Sequence, residues 1–268
     1  MTYLEVIVIS VVQGLTEFLP VSSSGHLVLT SSLFSVHEPG ITLEIALHFG
    51  TFMSVLVVFW KDIMNILTAF FSQIWKISKI PENYRNNESF RISLLVIISM
   101  IPAMLAGLFL RDMIEGLFKS VQAVGIALIV TGILLFFTQW APRLNKRPGI
   151  GNIVLMGIFQ AFALIPGISR SGSTITAGLL AGLDREKVAK LSFIMALPLI
   201  VGATIMEVPQ ISHGEGVEIF KLLLGMIIAF VSGIFALKWL IRILIRGRLS
   251  AFSYYCVLLG FLTVALNS

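Results

Sequence analysis

The chain has 268 residues, 57% of them hydrophobic and 12% charged, with a formal net charge of +5. Soluble domains carry about twice that share of charge, and a soluble fold would have to hide several apolar runs of about 20 residues, each long enough to cross a hydrocarbon core of roughly 30 Å. A soluble domain is excluded, one integral membrane domain over residues 1–268 is expected, and the single Cys256 excludes an intrachain disulfide and a cysteine-based metal site.

In chain order, residues 2–12 form an apolar run that has no basic residue ahead of it and carries Glu5, unlike a cleavable signal peptide. At 1.5 Å per residue this run and residues 27–36 each reach only about 15 Å. Between them lies the polar stretch QGLTEFLPVSSSGH, residues 13–26. Two half-length helices around a polar tip predict a re-entrant pair. Spanning runs follow at 41–60, 92–110 and 121–140. A second short pair, 151–165 and 175–183, flanks PGISRSGST at 166–174, and three more spans follow at 188–208, 219–241 and 251–266. The expected fold class is an all-α integral membrane protein with about six transmembrane helices plus two re-entrant helix pairs.

This order puts segments 61–91, 143–147, 185–190 and 238–248 on one side, and they hold fifteen of the nineteen Lys and Arg. That side is expected to be cytoplasmic. The opposite side receives Arg111, Lys119 and Lys221 together with Glu207, Glu215 and Glu218, so both termini are expected outside. Arg170 is left as the one basic residue within the membrane. Basic residues spread over short loops set orientation, and nucleic acid is not an expected partner.

The two tips then enter from opposite sides and meet near mid-membrane. Gln13, Ser22, Ser24 and Gly25 align with Gln160, Ser169, Ser171 and Gly172 at one offset of 147 residues. The halves 1–140 and 150–268 therefore read as an inverted-topology repeat.

Gln13 and Glu17 are spaced to share a helix face. Pro20 ends that helix, and a serine can cap the next. In the second tip Pro166 and Gly167 break the helix and Ser169 or Ser171 can cap its successor. Helix N-termini offer unpaired amide donors and a partial positive charge, so two of them beside Arg170 suit an anion, with phosphate the natural candidate. An arginine at mid-membrane costs a few kcal/mol, and its planar fork matches phosphate oxygens. Glu17, His26 and the serines supply the groups for proton transfer and nucleophilic attack on phosphorus. Several of these also have plain structural readings. Ser22, Ser24 and Ser171 can cap or allow close packing, Gln13 and Gln160 can satisfy backbone of the opposing tip, and His26 can bond a helix end. Thr174 can back-bond within its helix, and Glu44 and His48 read as interfacial or supporting groups.

The stretch from Gln13 through Glu17 to SSSGH, followed by PGISRSGST, resembles the two signatures of the undecaprenyl-diphosphate phosphatase (bacitracin resistance) family. The resemblance covers essentially the whole chain. It implies hydrolysis of undecaprenyl diphosphate to the monophosphate and inorganic phosphate, recycling the carrier lipid for peptidoglycan synthesis in the bacterial cell membrane and conferring bacitracin resistance. It implies Glu17, Ser23, His26 and Arg170 as the catalytic set, with Ser23 the preferred nucleophile and His26 its main rival. Gln13, Ser22, Ser24, Gly25, Ser169, Ser171, Gly172 and Thr174 would surround the phosphate. It also implies a divalent cation, Mg²⁺ or Ca²⁺, with Glu17 as a ligand. Many family members have glutamate where this chain has Gln13, which weakens a two-carboxylate metal site. The expected partners are the polyprenyl diphosphate lipid and the bilayer, and a homodimer is compatible with this reading. The site is expected to open outward. Broken helices meeting at mid-membrane also suit an anion or lipid-phosphate transporter, whereas a purely structural protein leaves the buried arginine unexplained.

Overall fold

The computed structural model describes residues 1–34, 41–142, 144–207 and 218–267. The ends of the runs 27–36 and 188–208, Arg143, and the expected outer loop with Gly214 and Glu215 lie outside the described residues. Within them the ordered elements are helices, with one isolated bridge between Lys146 and Leu183.

The first re-entrant pair is α1 (Tyr3–Thr16) and α2 (Ser23–Phe34). α1 begins in a capping box, in which Glu5 N donates to Thr2 Oγ1 at 3.3 Å and Thr2 N donates to the Glu5 carboxylate at 2.7 Å. α3 (Ile41–Val58) then runs 18 residues, and at Phe59 the chain turns by 83° into α4 (Trp60–Gln73). α4 buries Ile63, Ile66 and Ala69 and carries Lys61, Asp62 and Asn65 among apolar residues, a pattern that suits a membrane surface. The segment expected as a basic loop at 61–91 thus contains α4 and α5 (Ile80–Asn86). The apolar pattern of α4 is short and one-sided, so it gives no span signal. α6 (Glu88–Phe109) is capped by Asn87, whose side-chain oxygen accepts from Phe90 N at 3.0 Å. α7 (Arg111–Phe118) and α8 (Val121–Phe137) complete the first half.

The second half repeats the plan with α9 (Ile150–Phe162), α10 (Arg170–Leu180), α11 (Arg185–Glu207), α12 (Ile219–Ile245) and α13 (Ser250–Leu266). Among the described residues four stretches are long and apolar enough to cross a membrane, namely Glu88–Phe109, Val121–Trp140, Arg185–Met206 and Ile219–Ile245, and the bent α3–α4 pair offers a fifth. The remaining expected span is α13, whose 17 residues reach about 25 Å. It packs along α8.

Equivalent helices of the two halves make equivalent contacts: α1 packs on α12, and α9 packs on α6. Both contacts are backbone-close. A Cβ on Gly14 would lie 2.7 Å from Ala229 O, and one on Gly157 would lie 2.6 Å from Ser99 O, as expected where small residues rather than hydrophobic expulsion bring membrane helices together. The short α10 lies at the centre, with every residue from Ser171 to Leu179 buried. Its surroundings include Phe193 of α11, which makes an edge contact with Phe18 and stacks on Phe59. The exposed apolar side chains, among them Leu108, Phe109, Val231, Phe235 and Phe261, sit on the outer faces of the spans.

Candidate active site

After α1 the chain reverses through residues 17–21 and enters Ser22 at φ 69°, a left-handed conformation that a residue with a Cβ seldom adopts. The reversal is held by capping. Ser22 Oγ accepts from Gly25 N at 3.2 Å, which makes Ser23 the first residue of α2. In the opposing tip Gly167 takes φ 94°, and a Cβ there would lie 2.5 Å from Val124 O, so glycine is required twice over. Ser169 caps α10 by accepting from Gly172 N at 3.1 Å. Thr131 of α8 braces this tip: its hydroxyl donates to Gly167 O at 2.9 Å and accepts from Ser169 N at 3.0 Å.

The two tips touch. Gly167 N donates to Ser24 Oγ at 3.4 Å and Ser171 Oγ donates to Leu19 O at 3.3 Å. A Cβ on Gly25 would lie 3.2 Å from Gly167 Cα, and one on Gly172 would lie 3.3 Å from Pro20 Cβ. Ser24, Ser171, Gly25 and Gly172 therefore join one tip to the other.

At this junction Glu17, the residue closing α1, collects three donors. One carboxylate oxygen, Oε2, accepts from Ser23 Oγ at 2.7 Å and from Gln13 Nε2 at 3.1 Å; the other, Oε1, is paired with Arg170 of the opposing tip. The Glu17 side chain is 6% exposed and that of Arg170 20%. A charge buried that deeply in a membrane protein requires such partners. His48 of α3 adds a further contact, with Nδ1 3.3 Å from Gln13 Nε2 and 4.0 Å from Glu17 Oε2. Because an amide nitrogen only donates, His48 Nδ1 accepts and its proton sits on Nε2, which faces Glu44 Oε1 at 4.0 Å.

These groups line a cavity of about 300 Å³ that also reaches Ser22, Ser24, Ser169 and Gln160, with Leu164, Ile200 and Ala203 on its apolar side. The fully buried Gln160 has neither amide atom hydrogen-bonded, and Gln13 Oε1 is likewise unpaired. Such buried polar atoms each cost about 1–3 kcal/mol, and phosphate oxygens or hydroxyls in the cavity would satisfy them. From the sequence alone Gln160 has only the role of satisfying backbone, because an amide's partners depend on the opposing wall. Glu44 and His48 prove to share the same cavity. Their i, i+4 spacing on a predicted span was the signal.

Five predicted site residues do not line this cavity: Gly25, Ser171 and Gly172 lie in the contact between the tips, and His26 and Thr174 lie farther off. His26 Nδ1–H donates to Ser22 O at 2.8 Å, and its Nε2 accepts from Tyr255 OH at 2.6 Å, with the two rings stacked. It is not among the described residues lining the cavity. Thr174 bonds Arg170 O at 2.8 Å and Ser192 Oγ at 2.6 Å, joining α10 to α11 behind the arginine.

The family model described as bacitracin resistance protein BacA matches residues 6–262, which include both tips. An undecaprenyl-diphosphatase of Halothermothrix orenii is 40% identical over 271 residues, 99% of this chain and 98% of the relative. One of Desulfatibacillum aliphaticivorans is 40% identical over 274 residues, 100% of this chain and 99% of the relative. A third, of Parabacteroides distasonis, is 38% identical over 272 residues. With similarity running from end to end and through both polar tips, this multi-pass membrane chain belongs to the bacitracin resistance protein BacA family.

Proposed function

We propose that the protein hydrolyses undecaprenyl diphosphate to undecaprenyl phosphate and inorganic phosphate, returning carrier lipid to peptidoglycan synthesis. The observation that carries this reading is the Ser23 hydroxyl donating to a carboxylate, Glu17, which is itself paired with an arginine from the opposing tip. A transporter needs the arginine but has no use for a hydroxyl poised on a base.

In the resting site Arg170 neutralises Glu17. An arriving diphosphate competes for the guanidinium, and Glu17 then becomes a stronger acceptor for the Ser23 proton. Ser23 Oγ attacks the terminal phosphorus, its proton passes to Glu17, and undecaprenyl phosphate leaves. Water then attacks the phosphoserine as the Oγ–P bond breaks; Glu17 returns its proton to Ser23 Oγ, and inorganic phosphate leaves carrying the water's oxygen and both of its protons. Arg170 and the N-terminal amides of α2 and α10 stabilise the charge on the equatorial oxygens. Gln160 and Gln13 Oε1 supply further polar contacts at the cavity wall. His26 holds α2 to α13 through Tyr255 and fixes the tip that carries Ser23.

A divalent cation fits this site as a companion of the diphosphate. Magnesium takes one or two carboxylates and completes its shell with phosphate oxygens and water. Glu17 and Gln13 Oε1 are the protein oxygens that would hold it. No group of three metal-ligating acidic, His or Cys side chains occurs among the described residues, so a resident cage is not part of the reading. When bound, the cation would neutralise phosphate charge.

Purified protein in detergent with Mg²⁺ or Ca²⁺ is expected to release inorganic phosphate from undecaprenyl diphosphate. No release with any divalent cation, combined with phosphate movement into vesicles, would favour the transporter and overturn this reading. A rapid acid quench is expected to trap phosphate on Ser23, and label on His26 would reverse the assignment of nucleophile.

The halves 1–140 and 150–268 are read as an inverted pair, supported by the matching α1–α12 and α9–α6 contacts. Both termini lie outside and the cavity opens outward in this reading, which rests on the lysine and arginine imbalance. Cysteine introduced at Gly214 should then react with an impermeant thiol reagent in intact cells, and cysteine at Asn145 should not. The reverse pattern would invert the topology.

A further inference from the structure

The walls of the polar cavity continue past it. On α3, Glu44 and His48 line the polar cavity, and the next two positions at the same spacing of four, Phe52 and Leu56, line a second one. On α11, Ile200 and Thr204 line the first, while Leu197, one turn before Ile200, lines the second. Residues three or four apart stack on one helix face, so the two linings adjoin along α3 and α11. The track from Glu44 to Leu56 is about 18 Å long at 1.5 Å per residue.

The second cavity has a volume of about 420 Å³, and its lining is apolar except for Ser93. Its shape comes from the break at Phe59. The 83° turn swings α4 across the cleft, so that Phe70 closes one wall, while Met100 of α6 contributes another. A straight continuation of α3 would not place α4 there. The cavity is thus a built recess whose lining starts one turn along α3 from that of the polar site.

We propose that this recess holds the isoprenoid chain of the substrate while the diphosphate occupies the polar cavity. The assignment rests on the phosphatase reading and adds to it a subsite that senses chain length. The substrate joins a multiply charged head directly to a long branched hydrocarbon, so a head in the polar cavity lays the first isoprene units along its apolar side, at Leu164 and Ile200, and sends the later ones into the adjoining recess. A close-packed recess gives the chain dispersion contacts that fluid lipid supplies less completely. The branched, unsaturated chain also suits a recess lined by aromatic rings such as Phe52 and Phe70.

The test compares KM for undecaprenyl diphosphate with KM for farnesyl diphosphate, a much shorter homologue, in mixed micelles of fixed detergent ratio. Val201→Trp fills the recess from a half-exposed position, so it does not crowd the core. Ile205→Trp, one turn along α11, makes a comparable change on an exposed face outside both cavities. The wild type is expected to show a lower KM for the longer lipid. Val201→Trp is expected to raise KM for undecaprenyl diphosphate about tenfold, the equivalent of roughly 1.4 kcal/mol of lost packing, with kcat and the KM for farnesyl diphosphate little changed. Ile205→Trp is expected to leave both KM values alone. Equal wild-type KM values for the two lipids, or equal effects of Val201→Trp on both, would overturn the proposal even where a variant folds poorly. If the wild type cleaves neither lipid, the phosphatase reading itself fails and the subsite falls with it.

Discussion

Arg170→Gln is expected to lower kcat/KM for phosphate release about a thousandfold, the scale on which an arginine stabilises a transferring phosphoryl group. The substitution has a second consequence, because it leaves Glu17 buried with 6% of its side chain exposed and no cation against it. Breaking a buried pair from one side costs about 3–5 kcal/mol, so loss of activity alone would not separate chemistry from folding. The double variant Glu17→Gln with Arg170→Gln removes both charges. It should recover most of the melting temperature lost by the single variant while turnover stays absent. If turnover returned with stability, the Glu17–Arg170 pair would be a structural tie and the reaction would have to use other groups.

The second large effect concerns the helix contact that supports the first tip. A Cβ on Gly260 would lie 2.5 Å from Gly125 O and 2.9 Å from Ile129 N, both backbone atoms of α8 that cannot swing aside. Gly260→Val should therefore force α13 away from α8 and destabilise the protein by about 3 kcal/mol, the upper end of the range for overpacking. Activity should fall with stability, since α13 carries Tyr255 against His26 and places Cys256 Sγ 3.7 Å from Pro20 O. Gly116→Ala, where a Cβ would meet nothing within 4 Å, serves as the control and should be neutral or slightly stabilising. Thermal unfolding in detergent distinguishes the two. An unchanged Gly260→Val would mean that α8 and α13 are not backbone-close.

Much of this molecule follows from local properties of the chain. A bilayer demands about 20 apolar residues for a span, so runs such as those in α6, α8 and α12 announce themselves, and half-length runs around a polar Pro, Ser and Gly stretch announce a tip. The caps were equally local. Ser22 and Ser169 bind amides three residues on, as short polar side chains before a helix do.

What the sequence left open depends on groups far apart along the chain. Glu17 and Arg170 are 153 positions apart, and their pairing exists only because the two tips are pressed together through Gly25, Gly167 and Gly172. The direction of a side chain from a helix start is set by the neighbouring helix: α1 presents Glu17 to Ser23, while α13 draws His26 toward Tyr255 and away from the cavity. The unpaired amide of Gln160 and the recess under α4 are also properties of facing walls rather than of any segment. The sequence by itself determined the membrane class, the spans of α6, α8 and α12 and the chemical inventory of the two tips, because hydrophobic length and capping act over a few residues. Only the tertiary structure decided which of those groups meet, because helix packing fixes distances that no short stretch of chain encodes.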